Sequence, residues 1–124
     1  MKTLIMSLLC LLSFSTGVYV TNNTVTTKYS IPDTGIVVVE FNAAFNSQNN
    51  VNWIQDIKDC QVKRVDISKD PQMQAKHKIV VVPTVIVFNE GEEIKRFQAN
   101  IMMQLDANKK DVQKTVDELI FSDF

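Results

Sequence analysis

The run Ile79 to Phe88, Ile-Val-Val-Val-Pro-Thr-Val-Ile-Val-Phe, constrains the fold more than any other stretch of the chain. Seven of its ten residues are β-branched aliphatics, and a short run of that kind bounded by turn residues reads as a strand buried on both faces. Proline has no N–H to give to a ladder, so Pro83 cannot sit inside a central strand. The strand must begin at Thr84, with Val80 to Val82 as an extended approach. Asn89-Glu90-Gly91 then supplies turn chemistry, and Glu93 to Phe97 reads as a returning strand, making Thr84 to Phe97 a hairpin.

Other elements follow from periodicity. Ile36 to Phe41 is a second short aliphatic strand, and Val62 to Ile67 a third. Asp70-Pro71 places an N-cap and an N1 proline before a short helix reaching about Lys76. Asn46-Ser47-Gln48-Asn49-Asn50 offers N-cap residues, and Val51, Ile54 and Ile57 recur at i, i+3 and i+6. That pattern predicts a helix of about ten residues, from Asn49 to Asp59. Val112, Val116, Leu119 and Ile120 mark a C-terminal packing helix, with Asn108 capping and Asp111 at N3. Thr24 to Tyr29 is rich in β-formers and reads as an edge strand, and Ile31 to Gly35 as a turn.

The aliphatic-Pro-Thr hairpin, preceded in order by Val37-Val38-Val39-Glu40-Phe41-Asn42-Ala43-Ala44-Phe45 and Val65-Asp66-Ile67-Ser68-Lys69-Asp70-Pro71, resembles the thioredoxin family from roughly Ile36 to Ile120. The resemblance implies an α/β, thioredoxin-like three-layer sandwich: a mixed sheet of four or five strands flanked by helices, with a cis proline at Pro83. The segment before Ile36 is too short for the family's first strand and helix together, so the first helix is expected to be reduced or absent.

The family's redox centre is a Cys-x-x-Cys at the start of the helix after the first central strand, where the helix N-terminus stabilises a thiolate. The aligned positions here are Asn46 and Asn49. An amide cannot carry a thiolate, so thiol–disulfide exchange by the family mechanism has no chemistry at that site and no catalytic residue is assigned. Glu40 matches the acid the family buries below its cysteines; here it is either a carboxylate hydrogen-bonding Asn49 or a partly buried polar residue satisfied locally. In thioredoxins the backbone of the residue before the cis proline pairs with an extended substrate, and that residue would be Val82. With Phe45, Asn46 and Pro83 it could form a shallow apolar groove to which a polypeptide adds as a strand, or the surface is simply exposed. Met102-Met103 reads as lid and Trp53 as core, although a Met-containing loop suits an adaptable binding surface.

At 124 residues and 45% hydrophobic content the chain holds one domain, residues 18–124. Thirteen basic against fourteen acidic residues, without a basic cluster, give no nucleic-acid footprint. Lys2, the apolar run Leu4 to Phe14 and Ser15-Thr16-Gly17 read as a signal peptide over residues 1–17 and predict export, with a membrane anchor as the alternative. Removing it leaves Cys60 as the one thiol, so no internal disulfide is possible. His77, between Lys76 and Lys78, reads as solvated, and no metal ligand set or cofactor motif is spaced near it. The leading expectation is a redox-inactive thioredoxin-like module that binds a polypeptide. The alternatives are an oxidoreductase working through Cys60 or a partner cysteine, and a structural subunit of an intracellular assembly.

Overall fold

The two aliphatic runs become neighbouring strands at the centre of one sheet. The computed structural model describes residues 29–122; the signal segment 1–17 and the Thr24 to Tyr29 strand, except Tyr29 itself, lie outside the described residues. Tyr29 is in irregular backbone, and residues 29–35 contain no helix. The strands are β1 (Ile36–Asn42), β2 (Gln61–Asp66), β3 (Thr84–Asn89) and β4 (Glu92–Gln98). Their order is β2-β1-β3-β4, with β1 parallel to β2 and antiparallel to β3, which pairs antiparallel with β4. The sheet is therefore mixed and four-stranded.

Val37, Val38 and Val39 are all fully buried, because both faces of the sheet are covered. Val37, Val39, Phe41, Ile86 and Phe88 pack with Met73 of helix α1 (Pro71–Lys76). Val38, Val85 and Val87 pack on the opposite face with Val112 and Val116 of helix α2 (Lys109–Ser122). Burial on both sides removes the alternation of a half-exposed strand, which is why the sequence shows an unbroken apolar run.

Both helix starts are capped by the side chains their sequences offer. The Asp70 carboxylate accepts from the Met73 N–H, with Pro71 in the first turn. Asn108 and Asp111 form a reciprocal box: the Asn108 N–H donates to Asp111 Oδ2 at 2.8 Å and the Asp111 N–H to Asn108 Oδ1 at 3.0 Å.

The helix expected from Asn49 to Asp59 does not form. In its place are two 3-10 segments, Ala44–Asn49 and Ile54–Asp56. Apolar spacing at i, i+3 and i+6 matches three residues per turn better than 3.6, and Val51, Ile54 and Ile57 are all buried. The backbone of Val51 is also claimed from outside: its N–H donates to Glu40 Oε2 at 2.7 Å, and its carbonyl accepts from Arg64 Nη2 at 2.7 Å. Asparagines compete for backbone groups in the same way and disfavour a helix interior. Among the described residues, no helix is long and apolar enough to cross a membrane.

Candidate functional site

β1 ends by delivering Asn42 into the 3-10 segment that carries Asn46 and Asn49, and four asparagines there bond to one another. Asn46 is 3% exposed. Its Nδ2 lies 3.2 Å from Asn42 Oδ1, 3.1 Å from the Met103 carbonyl and 3.4 Å from the Val82 carbonyl, so two N–H bonds serve three acceptors. Its Oδ1 accepts from Asn49 Nδ2 at 2.8 Å. Asn42 Nδ2 donates to the Asn46 carbonyl at 3.1 Å and to Asn50 Oδ1 at 2.6 Å. The amides are neutral and bond to each other and to the backbone. Such a site can hold neighbouring segments in place but offers no nucleophile.

Two of those neighbours meet at a cleft. The Val82–Pro83 peptide bond is cis, and Val80 and Val81 approach it on the surface while Val82 and Pro83 are buried. Opposite stands the 99–105 loop, closed by an Ala99–Leu105 bridge. Asn100 shapes its turn: its Oδ1 accepts from the N–H groups of Met102 and Gln104, and its carbonyl from Met103. That turn puts Met103 at φ 59° and leaves Ile101 98% and Met102 68% exposed. Between these walls and Phe45 lies an open cleft of about 470 Å³. Exposed apolar side chains are thus gathered at one place on the domain.

Phe45, Asn46, Val82 and Pro83 thus occur at one corner of the molecule. Glu40 does not line the cleft; it sits behind the asparagines, 1% exposed. Its partners are the Val51 N–H and Arg64, whose Nε is 3.2 Å from Oε1 in an ion contact without hydrogen-bond alignment. Asn49 is not among them. Burial pushes the Glu40 carboxyl above the usual carboxylate range, and the Val51 N–H and the Arg64 charge pull against it. Arg64 escaped the sequence reading, although the parallel register that sets Glu40 beside it was implicit in the two strands.

His77 is a correction to the sequence reading. It is half-buried, its ring 5.4 Å from those of both Phe41 and Phe88, and its Nε2 is buried without a hydrogen-bond partner. Being the last residue before a tight turn, with Ile79 and Phe88 pulled into the core around it, outweighed its two lysine neighbours. Burial lowers its pKa, aided by Lys76 and Arg96 and opposed by Glu93. Cys60 is also half-buried, and burial together with Asp59 pushes its thiol up to about 11. Among the described residues, no group of three or more His, Cys, Asp or Glu could hold a metal ion.

No protein-family model matches the sequence, and no curated protein does. Solved structures do. A thioredoxin variant from Halobacterium salinarum superimposes with a TM-score of 0.55 at 18% identity, over 69% of this chain and 75% of that one. Thioredoxin from Schistosoma mansoni gives 0.55 at 20% identity over 69% and 78%, and thioredoxin from Fasciola hepatica 0.51 at 20% over 69% and 83%. By fold the chain is a thioredoxin-like domain.

Proposed function

We propose that this domain binds an extended polypeptide at the cleft beside Pro83 and performs no thiol–disulfide exchange. The observation that carries the reading is the apolar surface itself, in which the exposed side chains of Phe45, Val80 and Ile101 line an open cleft. Val82, the residue before the proline, forms part of the cleft wall, and the N–H groups of Val80, Val81 and Val82 enter no hydrogen bond of the described residues. A strand laid alongside would satisfy those on its own side, since successive N–H groups of an extended chain face opposite edges. Against exchange stand the amides at positions 46 and 49 and the state of Cys60, since a thiol with a pKa of about 11 is ionised to only about one part in ten thousand at neutral pH.

Reduced, carboxymethylated α-lactalbumin, an unfolded chain without free thiols, is a suitable probe. It should bind the protein in titration calorimetry and lose most of that affinity on Phe45→Ser or Ile101→Ser. No binding to the intact protein would refute the reading. We further propose export after removal of residues 1–17: the mass of protein recovered from an exporting host should fit a chain starting near Val18, and full-length protein in the soluble cytosolic fraction would favour the intracellular-subunit alternative.

A further inference from the structure

We infer that Asn46 sets the spacing of the cleft's two walls, and that the spaced cleft accepts an uncharged, apolar, strand-like segment of another chain. The inference rests on the polypeptide-binding reading and narrows it. No lining residue of the cleft carries a charge; its polar members are Ser68, Gln74 and Asn100. A lysine or glutamate side chain laid into it would surrender hydration and meet no counter-ion, whereas an aliphatic side chain would cover Phe45, Ile101 and Met103. The N–H groups on one edge of residues 80–82, unbonded among the described residues, suit a backbone neighbour, and the exposed apolar side chains suit alternate side chains of that neighbour.

The spacing comes from one buried amide. Asn46 Nδ2 reaches the Val82 carbonyl, on the wall before the proline, and the Met103 carbonyl, on the wall of the loop. The hydrogen bonds that shape the 99–105 loop otherwise run mainly within it or to Asp106 and Pro83, so Asn46 is its tie to the segment after β1. Asn46 is fixed in turn by Asn42 and Asn49. A position that in thioredoxins would hold a sulfur nucleophile here acts as a strut.

The test uses the full chain labelled with ¹³C at methionine methyls, titrated with a capped octapeptide of alternating valine and serine, and with versions carrying lysine or glutamate at the two central valine sites. The neutral peptide should shift the Met102 and Met103 signals and leave Met73 in place, and either charged version should bind at least about tenfold more weakly. Asn46→Ala should weaken the neutral peptide by about tenfold. Asn108→Ala, which lowers stability away from the cleft, should leave its affinity unchanged. Charged peptides binding as well as the neutral one, or Asn46→Ala binding like the native chain, would overturn the inference while leaving the broader reading intact if carboxymethylated α-lactalbumin still binds. If neither probe binds, the broader reading fails as well. Methyl shifts that depend on protein concentration without peptide would assign the cleft to a second copy of the chain and also overturn the inference.

Discussion

Two polar clusters lie side by side at the C-terminal end of β1, and they are built from opposite chemistry. Glu40 with Arg64 grips Val51 through charge; Asn42, Asn46, Asn49 and Asn50 grip one another, Val82 and Met103 through neutral amides. The charged cluster holds the backbone of Val51 in place between the two 3-10 segments. The neutral one positions a surface. A carboxylate held at 1% exposure must lose hydration and is sensitive to proton and partner, whereas amides lose less on burial and do not titrate. Geometry at the cleft should therefore be indifferent to pH while the stability of the segment beneath it is not.

The largest effect expected from breaking this contrast is at Glu40. Glu40→Ala removes the acceptor of a buried N–H and strands Arg64, and should cost about 3 kcal/mol in chemical denaturation. Glu40→Gln, which keeps an acceptor for Val51, should cost much less. Equal losses for the two would mean that packing, not the hydrogen bond, is what Glu40 supplies. Asn46→Ala should cost about 2 kcal/mol, with the loss independent of pH. Asn108→Ala removes the acceptor of the Asp111 N–H, one of the two reciprocal bonds, at an exposed helix start and should cost about 1 kcal/mol; a cost as large as that of Asn46→Ala would show that burial adds nothing to the amide cluster.

The smallest effects are those of titration, and they have opposite signs. The folded chain keeps the Glu40 proton to higher pH than the unfolded chain does, so its contribution is fully present below the ordinary glutamate value of 4.5 and is lost as pH rises through the folded pKa. His77 gives up its proton more readily when folded. Its contribution is therefore present above 6.5 and lost as pH falls through the lowered folded value, where an imidazolium would sit between two phenyl rings beside Lys76 and Arg96 with Glu93 as the opposing charge. Denaturation midpoints measured between about pH 7 and pH 5 should drop in the native chain and drop less in His77→Phe. An unchanged acid-side slope in that variant would assign the loss to other groups.

The sheet was legible because its signal is local. The Thr84 hairpin, the Ile36 strand and the Asp70-Pro71 and Asn108–Asp111 caps each announce themselves within a few residues, and the hairpin's Pro-Thr opening led to the fold class. The helix expected from Asn49 to Asp59 failed partly on local grounds, the three-residue apolar spacing and the asparagines, and partly because Glu40 and Arg64, on two strands, claim the backbone of Val51, which no window of neighbouring residues shows. His77 was misread for the same reason: the two phenylalanines around it come from β1 and β3. Of the residues singled out around the proline motif and in the Met102-Met103 pair, Phe45, Val82 and Met103 line the cleft. The strut role of Asn46 was not legible, since its partners are 36 and 57 residues away.

The central claim is that a thioredoxin-like fold here holds a chain rather than exchanging a disulfide, and insulin reduction by dithiothreitol tests it most directly. The native protein should leave the rate at that of dithiothreitol alone, while Asn46→Cys combined with Asn49→Cys should raise it. A native rate that grows with protein concentration and disappears in Cys60→Ser would contradict the account and assign the chemistry to Cys60.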